Sequence, residues 1–130
     1  MEPEFLTLDE VLALHGDQIR RYGGRPGLRD VSLLSSAIAM PAATYRGEYL
    51  HQGLPEMAAA YLFHICRNHP FIDGNKRASL AAALTFLWLN RMSVKASEDE
   101  LTELVRGVAA GRIGKPEVAV FLKHHARRRR

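Results

Sequence analysis

"NHPFIDGNKRAS", residues 68–79, places a His, an Asp, an Asn, a Lys and an Arg within nine residues, around a Pro-Phe pair and a Gly. The flanks decide how it is read. "EMAAAYLFHIC" (56–66) before it and "LAAALTFLWL" (80–89) after it are apolar nearly all round, as central, buried helices are. The stretch is therefore a loop between two core helices. Phe71 reads as its anchor into the core, Pro70 stiffens it, and Gly74 allows backbone geometry closed to other residues.

The polar residues of this loop suit phosphate. The backbone N–H groups of Gly74, Asn75 and Lys76 fall at the start of the second helix, where free donors and the helix dipole attract anions. Lys76 and Arg77 add positive charge at the same end. Cations there oppose the dipole, a conflict that a bound anion relieves. His69, with an unperturbed pKa of about 6.5, can act as a general base, a role worth about 10²–10⁴-fold in rate. Asp73 could bind Mg²⁺ jointly with phosphate oxygens. Taken singly, a His at a helix end is ordinarily a cap and a Lys-Arg pair is ordinarily solvated. The combination is what points to phosphate chemistry.

Working outward, the punctuation is helical. Thr7 and Glu10 form a capping box, in which each side chain satisfies a backbone N–H of the other. Leu8, Leu12, His15, Ile19 and Tyr22 follow at helical spacing until Gly23-Gly24. Asp30 caps a second helix, stopped by Pro41. Pro55 opens a third, ending near Asn68, and the fourth runs from Gly74-Asn75 to about Asn90. Ser97 with Glu100 opens a fifth, broken by Gly111 and Gly114, and Pro116 starts a sixth. No strand alternation, repeat or linker is evident. The expectation is an all-α, compact single domain over residues 1–126, about six helices around a central buried pair, with a basic tail at 127–130. Residues 41–54, "PAATYRGEYLHQGL", form a long connection carrying Tyr45, Arg46 and Tyr49. It reads equally as a substrate-facing flap and as an exposed connector.

Composition narrows the classes. Of the net charge of +4, Arg127–Arg130 supply four charges, leaving 14 basic against 14 acidic residues. A neutral body with a basic end makes no nucleic-acid-binding face, and that end reads as solvated and unstructured. The one cysteine, Cys66, fits a buried thiol in a reducing cytoplasm. The acidic start "MEPEFLTLDE" does not resemble a signal peptide, and the longest apolar run is about half a membrane span.

His69-Pro70-Phe71-Ile72-Asp73-Gly74-Asn75-Lys76-Arg77 resembles the signature loop of the Fic/Doc superfamily, H-x-F-x-[DE]-x-N-[GK]-R, at all six defined positions. The likeness is to the Doc, or death-on-curing, branch of bacterial toxin–antitoxin modules, and it extends to "LTLDEVLALHGDQIRRYGGRPGLRD", "AAALTFLWLNRMSV" and "LVRGVAAGRIGKPEVAVFL". It implies the branch's helical fold and an ATP-dependent transfer with Mg²⁺. His69 would be the base, Asp73 the metal ligand, and Gly74, Asn75, Lys76 and Arg77 the phosphate grip. Residues 41–54 would align the target, by resemblance a threonine of elongation factor Tu, and a cognate antitoxin would neutralise the toxin in trans. Lys76 and Leu80 follow the Doc pattern. Gly74 instead follows the AMP-transferring Fic pattern, where the Doc prototype has Ala. "SSAIAMP" (35–41) begins like the inhibitory helix of many Fic proteins but lacks its acidic residue and glycine.

Three alternatives stay open on these residues: an AMP transferase, a non-catalytic binding protein, and a metal site drawing on His51, His64, His69 and Asp73. Outside the loop, His15 reads as a hydrogen-bonded core residue and Phe86 and Trp88 as core packing. Arg67 either shapes the site or caps the third helix.

Overall fold

The computed structural model describes residues 2–129. Six helices follow in order among them: α1 (Leu8–Tyr22), α2 (Val31–Ala39), α3 (Leu54–Asn68), α4 (Asn75–Leu89), α5 (Glu98–Ala109) and α6 (Lys115–His125). Their starts are those the sequence signals. Thr7 and Ser97 close full capping boxes with Glu10 and Glu100, and Asp30 accepts from the backbone N–H groups of Ser32 and Leu33.

Helix α3 is the hub and packs against α4, α6, α2 and α5, while α1 lies on α4. Its apolar circumference requires this: Met57 through Leu62, Ile65 and Cys66 are all buried. Small side chains at Ala58, Ala59, Ala78, Ala82 and Ala83 leave room for close approach, and Tyr61 and Phe86 fill the rest with ring centroids 5.2 Å apart. Burial pushes the Tyr61 phenol up to about 12, and its oxygen accepts the Leu6 N–H at 2.8 Å, tying the N-terminal strap to the core. The all-α expectation holds, with two short strand pairs added.

The first pair lies in the 41–54 connection. β1 (Thr44–Tyr45) and β2 (Glu48–Tyr49) form a hairpin across Arg46-Gly47, both at positive φ (52° and 82°), as a two-residue hairpin turn of the I′ kind requires. Arg-Gly is a weaker signal than Asn-Gly and the strands are two residues long, so no period shows in the sequence.

The second pair corrects two expectations. β3 (Met92–Val94) pairs antiparallel with β4 (Ala126–Arg128), so the basic end, read as solvated and unstructured, is strand at Arg127 and Arg128. Trp88, read as core, is 53% exposed. The guanidinium of Arg129 lies 4.0 Å from the centroid of its ring and donates to the Trp88 carbonyl at 2.9 Å. The indole is the platform on which the chain end rests, and a polyarginine run hides this because cation–π pairing has no periodicity.

Deleting residues 127–130 should therefore leave a cooperative fold but lower its stability by about 1–2 kcal/mol, from lost cross-strand pairing and the Arg–Trp contact. Urea denaturation followed by circular dichroism checks this, and an unchanged midpoint would contradict it.

Candidate active site

The loop between α3 and α4 is fixed from both sides. Phe71 is fully buried, and its ring stacks on His15 with centroids 3.7 Å apart and planes 3° from parallel. The buried Asn75 amide answers both backbone groups of Phe71, accepting its N–H at 2.9 Å and donating to its carbonyl at 3.0 Å. His15 makes a 2.8 Å hydrogen bond through Nε2 with the Asp73 carbonyl, so it is the bonded core residue expected of it. The Asn75 side-chain amide is thus spent on the loop, which leaves only its backbone N–H at the helix start.

On the other side, residues 24–30 are laced to the loop. The Ile72 N–H donates to the Gly27 carbonyl at 3.0 Å, and the Arg29 and Asp30 N–H groups both donate to the Pro70 carbonyl, at 2.7 and 3.0 Å. Leu28 bridges to Phe71. Gly24 is required for this approach: at φ +117° its absent Cβ would lie 2.8 Å from Asp73 Oδ2. The sequence marks this partner only as a glycine-rich helix end.

Asp73 takes a backbone N–H on each oxygen, from Arg25 at 3.0 Å and from Gly74 at 2.8 Å. These bonds, foremost that from Arg25, with Arg77 and Arg25 nearby, hold its carboxyl below the usual carboxylate range. It is ionised at neutral pH, and each oxygen keeps a second lone pair for a cation. Arg77 donates to the Gly23 carbonyl at 3.0 Å.

The start of α4 differs from those of α1 and α5, which carry acidic first turns and capping boxes. Helix α4 has no acidic residue there and no side-chain cap; its N-cap is Gly74, left-handed at φ 76° and ψ 20°, followed by Asn75, Lys76 and Arg77. The end is left with free N–H donors, a positive dipole and two cations, neither of which forms an ion pair among the described residues. A cavity of ≈ 580 Å³ opens over it, lined by His69, Asp73, Gly74, Asn75, Lys76 and Arg77 together with Cys66, Arg67, Ile72 and Ala109. That size suits a small-molecule ligand.

His69 ends α3 in the left-handed conformation at φ 54° and ψ 52°, and its side chain is exposed at the cavity. Arg67 resolves into a wall of the cavity that also caps α5, donating to the Val108 and Ala109 carbonyls at 3.3 and 3.5 Å. Cys66 is the buried free thiol expected, raised in pKa by burial. Tyr45, Arg46 and Tyr49 do not line the cavity: Tyr45 and Arg46 are exposed on the hairpin, and the Tyr49 hydroxyl donates to Glu2 Oε1 at 2.7 Å.

The four-residue metal grouping does not assemble. His51 and His64 turn instead to Lys115, whose Nζ lies 3.0 Å from Nε2 of each, and neither lines the cavity of His69 and Asp73. Burial, then the Lys115 charge, holds His64 down at about 4.

An all-helical domain with an anion-attracting helix start beside a histidine and an ionised aspartate is the class of protein so defined. Comparison with known proteins makes it particular. The model of the Fic/DOC family matches residues 5–87, from the N-terminal strap through most of α4. The chain is 39% identical over 118 residues to "Protein kinase doc" of Escherichia phage P1, covering 91% of this chain and 92% of that protein. It is 44% identical over 96 residues to "Toxin Doc" of Mycolicibacterium smegmatis, covering 74% and 72%. The chain belongs to the Fic/Doc family, and within it to the Doc toxin branch.

The lowered pKa of His64 has a definite sign. Between pH 6.5 and about 4 the unfolded chain binds a proton there that the folded chain refuses, so stability falls as pH drops through that window. With half-exposure screening the charge, the loss is on the order of 1 kcal/mol. Thermal unfolding across that range should be flatter for His64→Gln than for wild type, and parallel curves would contradict the assignment.

Proposed function

We propose that this chain is a toxin that transfers the γ-phosphate of ATP to a protein hydroxyl, a threonine of elongation factor Tu by resemblance, and so stops translation. The observation that carries this reading is the cavity over the α4 start, where His69 and the ionised Asp73 meet unmatched N–H donors, Lys76 and Arg77.

Each residue has a physical task. The exposed imidazole of His69 accepts the proton of the attacking hydroxyl. The backbone N–H groups at the start of α4 and the charges of Lys76 and Arg77 bind and orient the phosphates. Asp73 fits a Mg²⁺ ligand, since its carboxylate is kept ionised by Arg25 and Gly74 without using up its lone pairs. When bound, Mg²⁺ would supply neutralisation of phosphate charge. An antitoxin acting in trans completes the reading, because the segment at 35–41 lacks the acidic residue and glycine of a built-in inhibitor.

One residue favours a second reading. Gly74, without a side chain at the α4 N-cap, is the residue that AMP-transferring relatives carry there. Against it, Lys76 places a bulky point charge where AMP-transferring relatives have Gly. Leu80, packed against the core, stands where they carry a second Arg able to clamp pyrophosphate.

Elongation factor Tu incubated with this protein should take up label from γ-labelled ATP and none from α-labelled ATP. His69→Ala should reduce transfer by at least about 100-fold with an unchanged helical circular-dichroism spectrum. Incorporation of the α-label would reverse the choice in favour of AMP transfer.

A further inference from the structure

We propose that Arg29 is the positioning residue of the base: its guanidinium sets the backbone angles of His69 and thereby the direction in which the imidazole enters the cavity. The inference rests on the role given to His69 above, and Arg29 is itself no part of the cavity wall.

The geometry is specific. Arg29 Nη2 donates to the His69 carbonyl at 2.6 Å and to the Asn68 carbonyl at 3.1 Å, and Nε donates to the His69 carbonyl at 2.9 Å. Those two oxygens belong to the two peptide units on either side of the His69 Cα. Since a peptide unit is planar, holding both oxygens on one rigid fork holds φ and ψ between them. The direction of Cα–Cβ follows from φ and ψ.

His69 needs such a restraint. It is one of three non-glycine residues at positive φ among the described residues, and no glycine or asparagine eases that position. Its two carbonyl neighbours lie at the end of α3, where acceptors lack helical partners and the dipole favours a cation. An arginine satisfies both demands at once.

Arg29 also suits a clean test. Its backbone N–H donates to the Pro70 carbonyl at 2.7 Å, as does that of Asp30 at 3.0 Å, and Asp30 caps α2. A side-chain substitution leaves all of these in place and removes only the fork.

The experiment compares wild type, Arg29→Ala and Arg29→Lys in γ-phosphate transfer to elongation factor Tu, with the His69 Cα and Cβ chemical shifts measured on ¹³C-labelled protein. The expected result for Arg29→Ala is a fall in kcat of about 10–100-fold, as for a misplaced catalytic group, with KM for Mg–ATP within about twofold. The His69 shifts should move away from the left-handed pattern while the Phe71 and Gly74 amide resonances stay. Arg29→Lys, which keeps charge and donors without the fork, should recover part of kcat. A kcat within about twofold of wild type, KM rising as kcat falls, or unmoved His69 shifts would each overturn the proposal. So would displacement of the Phe71 and Gly74 resonances, which would make Arg29 a general support of the loop. A wild-type protein that transfers no label would instead sink the proposed function, and the clamp would stand or fall on the His69 shifts alone.

Discussion

The reciprocal pair of hydrogen bonds between the Asn75 side chain and the backbone of Phe71 is the constraint on which the site depends. It ties the first residue of α4 to the middle of the loop that precedes it. With Phe71 buried against His15, the tie leaves the loop no freedom to slide along the core. A buried amide with two partners is stable, and removing either partner would strand the other in an apolar setting. Everything between them follows. Asp73 is held where its oxygens meet the N–H groups of Arg25 and Gly74, and the start of α4 faces the cavity uncapped.

Much of this was legible in the sequence, and the reason is local. Capping residues act within four positions of themselves, so Thr7, Asp30 and Ser97 announce α1, α2 and α5, and the apolar circumference of α3 and α4 announces the core. The members of the site were legible because nine consecutive residues supply most of them. What escaped depends on partners distant in the chain. The lacing of residues 24–30 to the loop, the platform of Trp88 under Arg129, and the strand made by the arginine end join positions 32 to 48 residues apart. Asn75 escaped for another reason, since its partner Phe71 is only four residues away. Its residue type suited a phosphate grip, and only the fold shows that its amide is turned inward.

The site also accepts a local electrostatic conflict that other helices of the chain avoid. α1 and α5 place acidic residues at their starts, and α4 places Lys76 and Arg77. Neither cation forms an ion pair among the described residues: Arg77 lies near enough to lower the Asp73 pKa but donates to the Gly23 carbonyl. A fold stable enough to hold this arrangement has its support elsewhere, in the sheath of α1, α2 and α6 around α3 and α4. The rigid core and the charged rim are thus two halves of one design: the rim can be matched to a ligand because the loop beneath it does not need that ligand to form.

That independence is the central claim, and native-state hydrogen exchange of the ligand-free protein tests it most directly. The Phe71 amide, bonded to Asn75 Oδ1, and the Ile72 amide, bonded to the Gly27 carbonyl, should exchange as slowly as the core amides of α3, opening only with the whole domain. Exchange at the rate of an open loop, slowing only when nucleotide is added, would contradict the account and make the ligand the organiser of its own site.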